Sequence, residues 1–238
     1  MLSRHGISAC SHNKQIFFML RKLILLLARI NILKTIHLNL RYFKLSDALK
    51  LPILVYPNTK IEKAQGKIVC KCPIKTGLIS VGKHGVGNRF RTIWLVSGRM
   101  QISGPVNFGS GTKISIGDDA KLILGSNVTV TGDSSIICKK QITIGTESII
   151  SWDVLIMDTD YHKISNIDGG IMNMPLPIKI GNHVWIACRV TVLKGSFVAD
   201  NSIVACSSLI SSKCENRNTI YGGVNQLREI RSNIEWKK

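Results

Sequence analysis

The segment Asp158-Thr-Asp-Tyr-His162 gathers within one short stretch the groups that general base chemistry needs. Imidazole titrates near neutral pH, so His162 can take a proton from a hydroxyl that is otherwise a poor nucleophile. Asp158 or Asp160 could fix the tautomer of the ring and stabilise its charged form, and the segment alone leaves that choice open. His5, His12 and His37 read as solvated side chains. Seven cysteines, Cys10, Cys70, Cys72, Cys138, Cys188, Cys206 and Cys214, give an odd count. No small-residue cleavage site closes the apolar N-terminal segment, so a secretory signal is a poor fit and reduced thiols in a cytoplasmic protein are expected. Cys70-Lys-Cys72 is an isolated C-x-C pair and does not by itself make a metal site.

The elements that must position His162 are written in a six-residue rhythm. Ile180, Ile186, Val192, Val198, Val204 and Ile210 fall at strict intervals of six, most followed by a small residue such as Gly181, Ala187, Ala199, Ala205 or Ser211. Helices repeat at 3.6 residues and ordinary strands at two. A period of six with compact partners describes a triangular coil, one strand and one corner per hexapeptide, whose turns stack in parallel at roughly 4.8 Å. Leu124, Val130, Ile136 and Ile142 carry the rhythm upstream, and Ile144, Ile150 and Ile156 continue it after a two-residue slip. Ile102, Phe108 and Ile114 fit more loosely, and Ile68 and Ile74 can begin the series. Ile156 and Ile180 are 24 apart, so the phase survives an insertion. The intervening sixfold positions are His162, Asp168 and Met174, and Gly169-Gly170, Pro175 and Pro177 are loop formers. Residues 158 to 177 therefore leave the coil and return, carrying His162 on an excursion from a rigid scaffold.

The stretch from Ile178 to Gly195, with Ile180-Gly-Asn-His-Val-Trp-Ile-Ala187 at its centre, resembles the hexapeptide-repeat acyltransferases. Asp200-Asn-Ser-Ile-Val-Ala-Cys-Ser-Ser208 is similar to the following coil of that family, and Ile150 to His162 to the segment with its catalytic histidine. Bacterial O-acetyltransferases that decorate surface polysaccharides are the nearest branch. The resemblance covers about residues 45 to 238 and implies an all-β fold, a left-handed parallel β-helix, with the three-chain cyclic assembly of the family. It implies acetyl-CoA as donor, a sugar or lipid-linked glycan as acceptor, and direct attack assisted by His162 without an acyl-enzyme. It places the coenzyme arm along Ala187, Cys188, Cys206 and Ser207, then Ser211, Ser212 and Lys213, with Lys213 meeting a phosphate as a point charge. Asn182 and Trp185 flank the expected acceptor position. Ala187 and Ala205 stand where glycines are usual, and Gly222-Gly-Val-Asn-Gln226 lacks the proline and basic residue of the usual final turn; Arg228 or Arg231 could substitute for the latter. A zinc centre of the hexapeptide carbonic anhydrase kind would have to unite His84, His162 and His183, but the paired H-x-x-x-x-H is missing and no metal is expected. Serine acetyltransferases carry a much longer helical N-terminal domain. The reading from another class is an inactive β-helix that binds membrane or polysaccharide as a scaffold.

Composition adds the surroundings. The formal net charge is +18, and residues 1 to 60 hold ten Lys and Arg against Asp47 alone. No RRM, KH or zinc-finger signature accompanies this charge, and nucleic acid is not an expected partner; anionic lipid and phosphate-bearing ligands fit it better. Gln15 to Leu40 is apolar but interrupted by Arg21, Lys22, Arg29 and Lys34, too often for a spanning helix. It reads as a basic amphipathic helix that lies on a membrane surface or packs on its own assembly. The expected organisation is a basic, mainly helical extension over 1–60, the β-helix over 61–214 with its loop at 158–177, and a tail over 215–238. The expected location is the cytoplasm, at the inner face of the plasma membrane where the extension holds it.

Overall fold

A computed structural model describes residues 29–83, 90–224 and 227–237. Its strands form three sheets in strict rotation, of nine, seven and seven strands, and every pairing between coils is parallel. We call them the first, second and third sheets in the order in which each coil visits them. The sixfold residues are the inward columns. On the first sheet Val55, Val81, Phe108, Val130, Ile150, Ile186, Val204 and Tyr221 lie in register down the coil. On the second, Trp94, Ile114, Ile136, Ile156, Val192 and Ile210 do the same. On the third, Cys70, Ile102, Leu124, Ile144, Ile180, Val198 and Cys214 complete the triangle. Nearly all of these side chains are buried, and Ile102, Phe108 and Ile114 are full members of the columns. An isoleucine inside such a column contacts the coils above and below, so its truncation to alanine costs about 2–5 kcal/mol.

Corners explain the compact partners of the rhythm. Asn127, Glu147, His183, Asn201 and Asn218 take positive φ where the chain enters the first sheet, and Asp133, Asp153, Arg189 and Ser207 where it leaves. A Cβ added at Gly145 would lie 2.4 Å from the carbonyl oxygen of Gly181, so the stacked corners meet backbone to backbone. Corner side chains also staple successive coils: Thr146 N–H donates to Asn182 Oδ1 at 2.9 Å, and Asn182 N–H to Asp200 Oδ1 at 2.9 Å.

Both ends of the coil lie beyond the expected limits of 61 and 214. The first strand is Ile53–Val55, and the last parallel strand is Ile220–Gly222, which pairs with an antiparallel strand, Arg228–Arg231. Ile53-Leu-Val lacks a sixfold predecessor, so periodicity alone does not reach it. The helix Ile32–Tyr42 closes this end. Asn39 Oδ1 accepts from Ile53 N–H at 2.9 Å, Asn39 Nδ2 donates to Ile53 C=O at 2.7 Å, and Thr35 Oγ1 accepts from Val55 N–H at 3.0 Å. Two buried polar side chains thus replace the missing neighbour strand of an open edge. Tyr42 sits edge-on to Trp94 and accepts its indole N–H at 3.1 Å. The opposite helix face leaves Ile32, Leu33, Ile36 and Leu40 exposed. Residues 15–28 of the expected amphipathic segment, with His5, His12 and Cys10, lie outside the described residues.

Candidate active site

The excursion 158–177 leaves the end of the second-sheet strand Leu155–Met157 and returns to the third-sheet strand Ile178–Ile180. Asp158 roots it. The residue is fully buried, and its carboxylate accepts from the backbone N–H of Lys139 at 2.6 Å and of Lys140 at 2.8 Å. The Cys138 thiol lies 3.7 Å from Asp158 Oδ2, and burial together with that carboxylate pushes the thiol up to about 12. Asp158 is therefore buried from solvent and engaged with the corner beneath the loop. Of the two carboxylates that the sequence leaves open, it is the one spent on backbone.

Asp160 has a different setting. Its Oδ2 accepts from Asn173 Nδ2 at 2.9 Å and forms a close ion pair with Lys194. The Lys194 ammonium, then the Asn173 amide, hold its carboxyl below the usual carboxylate range. Asn173 is the clasp of the excursion: it also donates to His162 C=O at 2.8 Å and accepts from Ile164 N–H at 2.7 Å. His162 N–H donates to Asp160 C=O at 2.7 Å. The backbone on both sides of the imidazole is thereby tied, while the exposed ring has no hydrogen-bond partner among the described residues. Such a ring is free to meet a hydroxyl. Tyr161 beside it adopts φ +61° and carries Lys139 Nζ 5.4 Å from its ring centroid. Asn173 and Lys194 escape a sequence reading because they lie 11 and 32 residues from His162; only the fold joins them. The one available signal was the polar Asn173 between Met172 and Met174.

The other expected site residues are spread over all three edges and one face. Ala187 and Cys188 stack on the coil of Cys206 and Ser207, with Ser207 N–H donating to Cys188 C=O at 3.0 Å, on the edge between the first and second sheets. Ser211, Ser212 and Lys213 lie at the edge between the second and third sheets, the same edge as the excursion. Asn182 is a corner staple between the third and first sheets. Trp185 projects from the first sheet, more than a third exposed, its indole N–H on Ser151 Oγ at 3.0 Å. Trp236 from the tail stacks on His183 at 4.0 Å and tilts toward Trp185 at 6.1 Å. One chain thus separates the His162 loop from Ala187, Cys188, Cys206 and Ser207 and from the aromatic face, while Ser211, Ser212 and Lys213 share its edge. All six described cysteines are free thiols, Cys188 and Cys206 included. Burial raises Cys70 to about 11 and Cys214 to about 12, which removes both as nucleophiles at neutral pH. His162 and His183 stand on different edges, His84 lies outside the described residues, and no group of three His, Cys, Asp or Glu that could hold a metal is found among those described. Asn225 and Gln226 of the final turn also lie outside the described residues.

No protein-family model matches the chain. It is 33% identical over 87 residues to the polysialic acid O-acetyltransferase of Neisseria meningitidis, covering 36% of this chain and 40% of that protein. It is 28% identical over 107 residues to the galactoside O-acetyltransferase of Escherichia coli K12, covering 45% of this chain and 49% of that protein. Over these segments the chain is similar in sequence to bacterial sugar O-acetyltransferases. Its matches span about half the length of these relatives or less. Among solved structures, the polySia-specific acetyltransferase NeuO superposes with a TM-score of 0.59 at 20% identity, covering 76% of this chain and 72% of that one. AntD, an N-acyltransferase from Bacillus cereus solved with dTDP and coenzyme A, gives a TM-score of 0.50 at 13% identity, covering 80% and 90%. At these identities the structures speak for the fold, the left-handed parallel β-helix.

Proposed function

We propose that this chain is an acetyl-CoA-dependent O-acetyltransferase that acetylates a sugar hydroxyl of a capsular, exopolysaccharide or lipopolysaccharide precursor. The observation that carries the reading is an exposed imidazole with both backbone flanks clasped, on an excursion from a coil whose sequence is similar to O-acetyltransferases. His162 takes the proton of the sugar hydroxyl as its oxygen attacks the thioester carbonyl. The C–S bond breaks as the tetrahedral intermediate collapses, and the imidazolium returns its proton to the departing thiolate. Ester and free coenzyme A result, and no group on the protein is acylated. Asp160 supports the loop and the charge that develops on the ring. The coenzyme arm runs along the backbone at Ala187, Cys188, Cys206 and Ser207 of one copy and meets Ser211, Ser212 and Lys213 of another; Asn182 and Trp185 border the acceptor.

A homotrimer supports this arrangement, because the three groups of residues occupy separate edges or faces of one chain and must converge between copies. The excursion fits such a role: Ile164, Ile167, Ile171, Met172, Met174 and Leu176 are exposed on it. An apolar patch of this kind marks an interaction surface. The exposed helix face at Ile32, Leu33, Ile36 and Leu40, among the N-terminal basic residues, supports peripheral attachment at the inner face of the plasma membrane. No described helix is long and apolar enough to cross a membrane. The test is mass spectrometry of the cell-surface glycan with and without the protein, paired with thiol release from acetyl-CoA in vitro. Added acetyl groups and released thiol are expected. Identical glycan spectra and no thiol release would leave the scaffold reading.

A further inference from the structure

One row of cations has no use in the chemistry above. Lys67, Arg99 and Lys121 are the first residues of three successive third-sheet strands and lie in register, Lys67 beside Arg99 and Arg99 beside Lys121. Each points outward, since the next residue in each strand, Ile68, Met100 and Leu122, faces the core. Neighbouring strands put these charges roughly 4.8 Å apart at the backbone. Like charges directly opposite one another are destabilising. None of the three has an ion-pair partner among the described residues, although Lys50, Lys60, Lys194 and Arg217 all do.

The row has continuity at both ends. Above it, Arg41 of the capping helix donates to Gln65 C=O at 2.8 Å, at the corner just before Lys67. Below it, Lys139 and Lys140 occupy the next corner, exposed, with their backbone N–H groups held by Asp158. Lys139 Nζ then reaches the ring of Tyr161, the neighbour of His162. Between the cations the corners are bare: a Cβ at Gly66 would lie 2.0 Å from Gly98 C=O, and one at Gly98 2.1 Å from Gly117 C=O. These close-stacked, side-chain-free corners floor an open groove that Lys67, Arg99 and Lys121 line. Within the groove Asp118 and Asp119 are the acids beside Lys67, Arg99 and Lys121; farther along the edge Asp158 is buried beneath the Lys139–Lys140 corner and Asp160 is paired with Lys194.

We infer that this edge is a track for an anionic acceptor, an extended glycan bearing carboxylate or phosphate groups, which it delivers to the foot of the His162 loop. Regularly spaced cations neutralise a chain with regularly spaced anions without needing a pocket, and the groove accepts a polymer passing through. The row runs from the capped end of the coil to the excursion and stops there, which is the geometry for feeding a polymer to one reactive position. The inference rests on the acetyl-transfer reading, yet it concerns binding and is tested without turnover.

Labelled polysialic acid is the anionic probe and dextran of similar length the neutral one, each titrated by fluorescence polarisation at low and high salt. Wild type should bind polysialic acid, lose it with salt, and ignore dextran. Arg99→Glu should weaken binding about threefold, and the triple variant Lys67→Glu, Arg99→Glu, Lys121→Glu about tenfold or more, the scale expected of several exposed ionic contacts. Lys75→Glu, an exposed cation on another edge, should bind as wild type, and so should His162→Ala. Equal loss in Lys75→Glu and Arg99→Glu would reduce the effect to net charge and overturn the track. So would triple-variant binding equal to wild type. If the triple variant instead loses anionic vesicles while keeping the glycan, the row faces lipid and the inference falls. If it changes the oligomeric mass by light scattering, the row is a contact between copies and the inference falls likewise. Wild-type binding with a failed transfer assay would leave the track standing and remove the activity.

Discussion

At the scale of single residues, the two aspartates of the Asp158-Thr-Asp-Tyr-His162 segment do different work. Asp158 is buried on two backbone N–H groups, so Asp158→Asn turns an amide N–H toward one of them and costs about 1–3 kcal/mol, measured by urea unfolding. His162→Ala should leave unfolding unchanged, because the ring is exposed, and reduce transfer by about 10²–10⁴-fold. Near-wild-type transfer by His162→Ala would end the assignment. Asp160→Asn should slow transfer less than His162→Ala, because it weakens the clasp and its charge support but leaves the base. Asn173→Asp sets two carboxylates against each other and should slow transfer. Asp160→Asn combined with Asn173→Asp restores one donor, one acceptor and a partner for Lys194, and should recover part of the rate. The pH dependence of the clasp follows from its sign. Asp160 is held below its ordinary value of 3.8, so its contribution is complete above that value and fades as pH falls through the depressed one. Loop protection from proteolysis should therefore stay constant across the neutral range and decline only in strong acid.

At the scale of elements, the helix Ile32–Tyr42 is a lid on an open sheet edge. Asn39→Ala leaves the N–H and C=O of Ile53 buried without partners, at about 1–3 kcal/mol for each unsatisfied group. Calorimetry should show a lowered Tm. Removal of residues 1–28 retains the lid, and the truncated protein should remain folded and dispersed. Removal of residues 1–45 exposes Ile53–Val55 as an unpaired strand edge and should promote aggregation. If the shorter chain stays monodisperse, the helix is not a cap. The amphipathic pattern of 15–40 could not separate a membrane face from a packing face. In the described part Thr35, Leu38 and Asn39 face the coil, and Leu33, Ile36 and Leu40 face outward.

At the scale of the whole molecule, the predictions concern assembly and location. Multi-angle light scattering should give the mass of three chains at every concentration used for activity, and a concentration-independent monomer would remove the shared site. Full-length protein should float with anionic vesicles, and high salt should weaken flotation only in part, because apolar burial is not screened. Protein that never floats would remove the membrane proposal.

The sixfold spacing of Ile180 to Ile210 determined the triangular coil, because only one secondary structure places every sixth residue inside. The broken phase between Ile156 and Ile180 located the excursion for the same reason: His162 and Asp168 cannot occupy a dry column. The expectation placed on His162 came from its residue type and its neighbours, and its role as base is the proposal made above. The rest needed three dimensions. Asp158 and Asp160 are equivalent acids on paper, and their roles diverge only because the second-to-third-sheet corner offers two backbone N–H groups to one and Lys194 with Asn173 to the other. Ile53–Val55 carries no period, and its place in the first sheet is decided by the polar side chains of a helix that docks on it. The row Lys67, Arg99 and Lys121 is hidden in the chain by intervals of 32 and 22 residues, because an insertion lies within the first interval. Parallel register alone brings the three cations side by side.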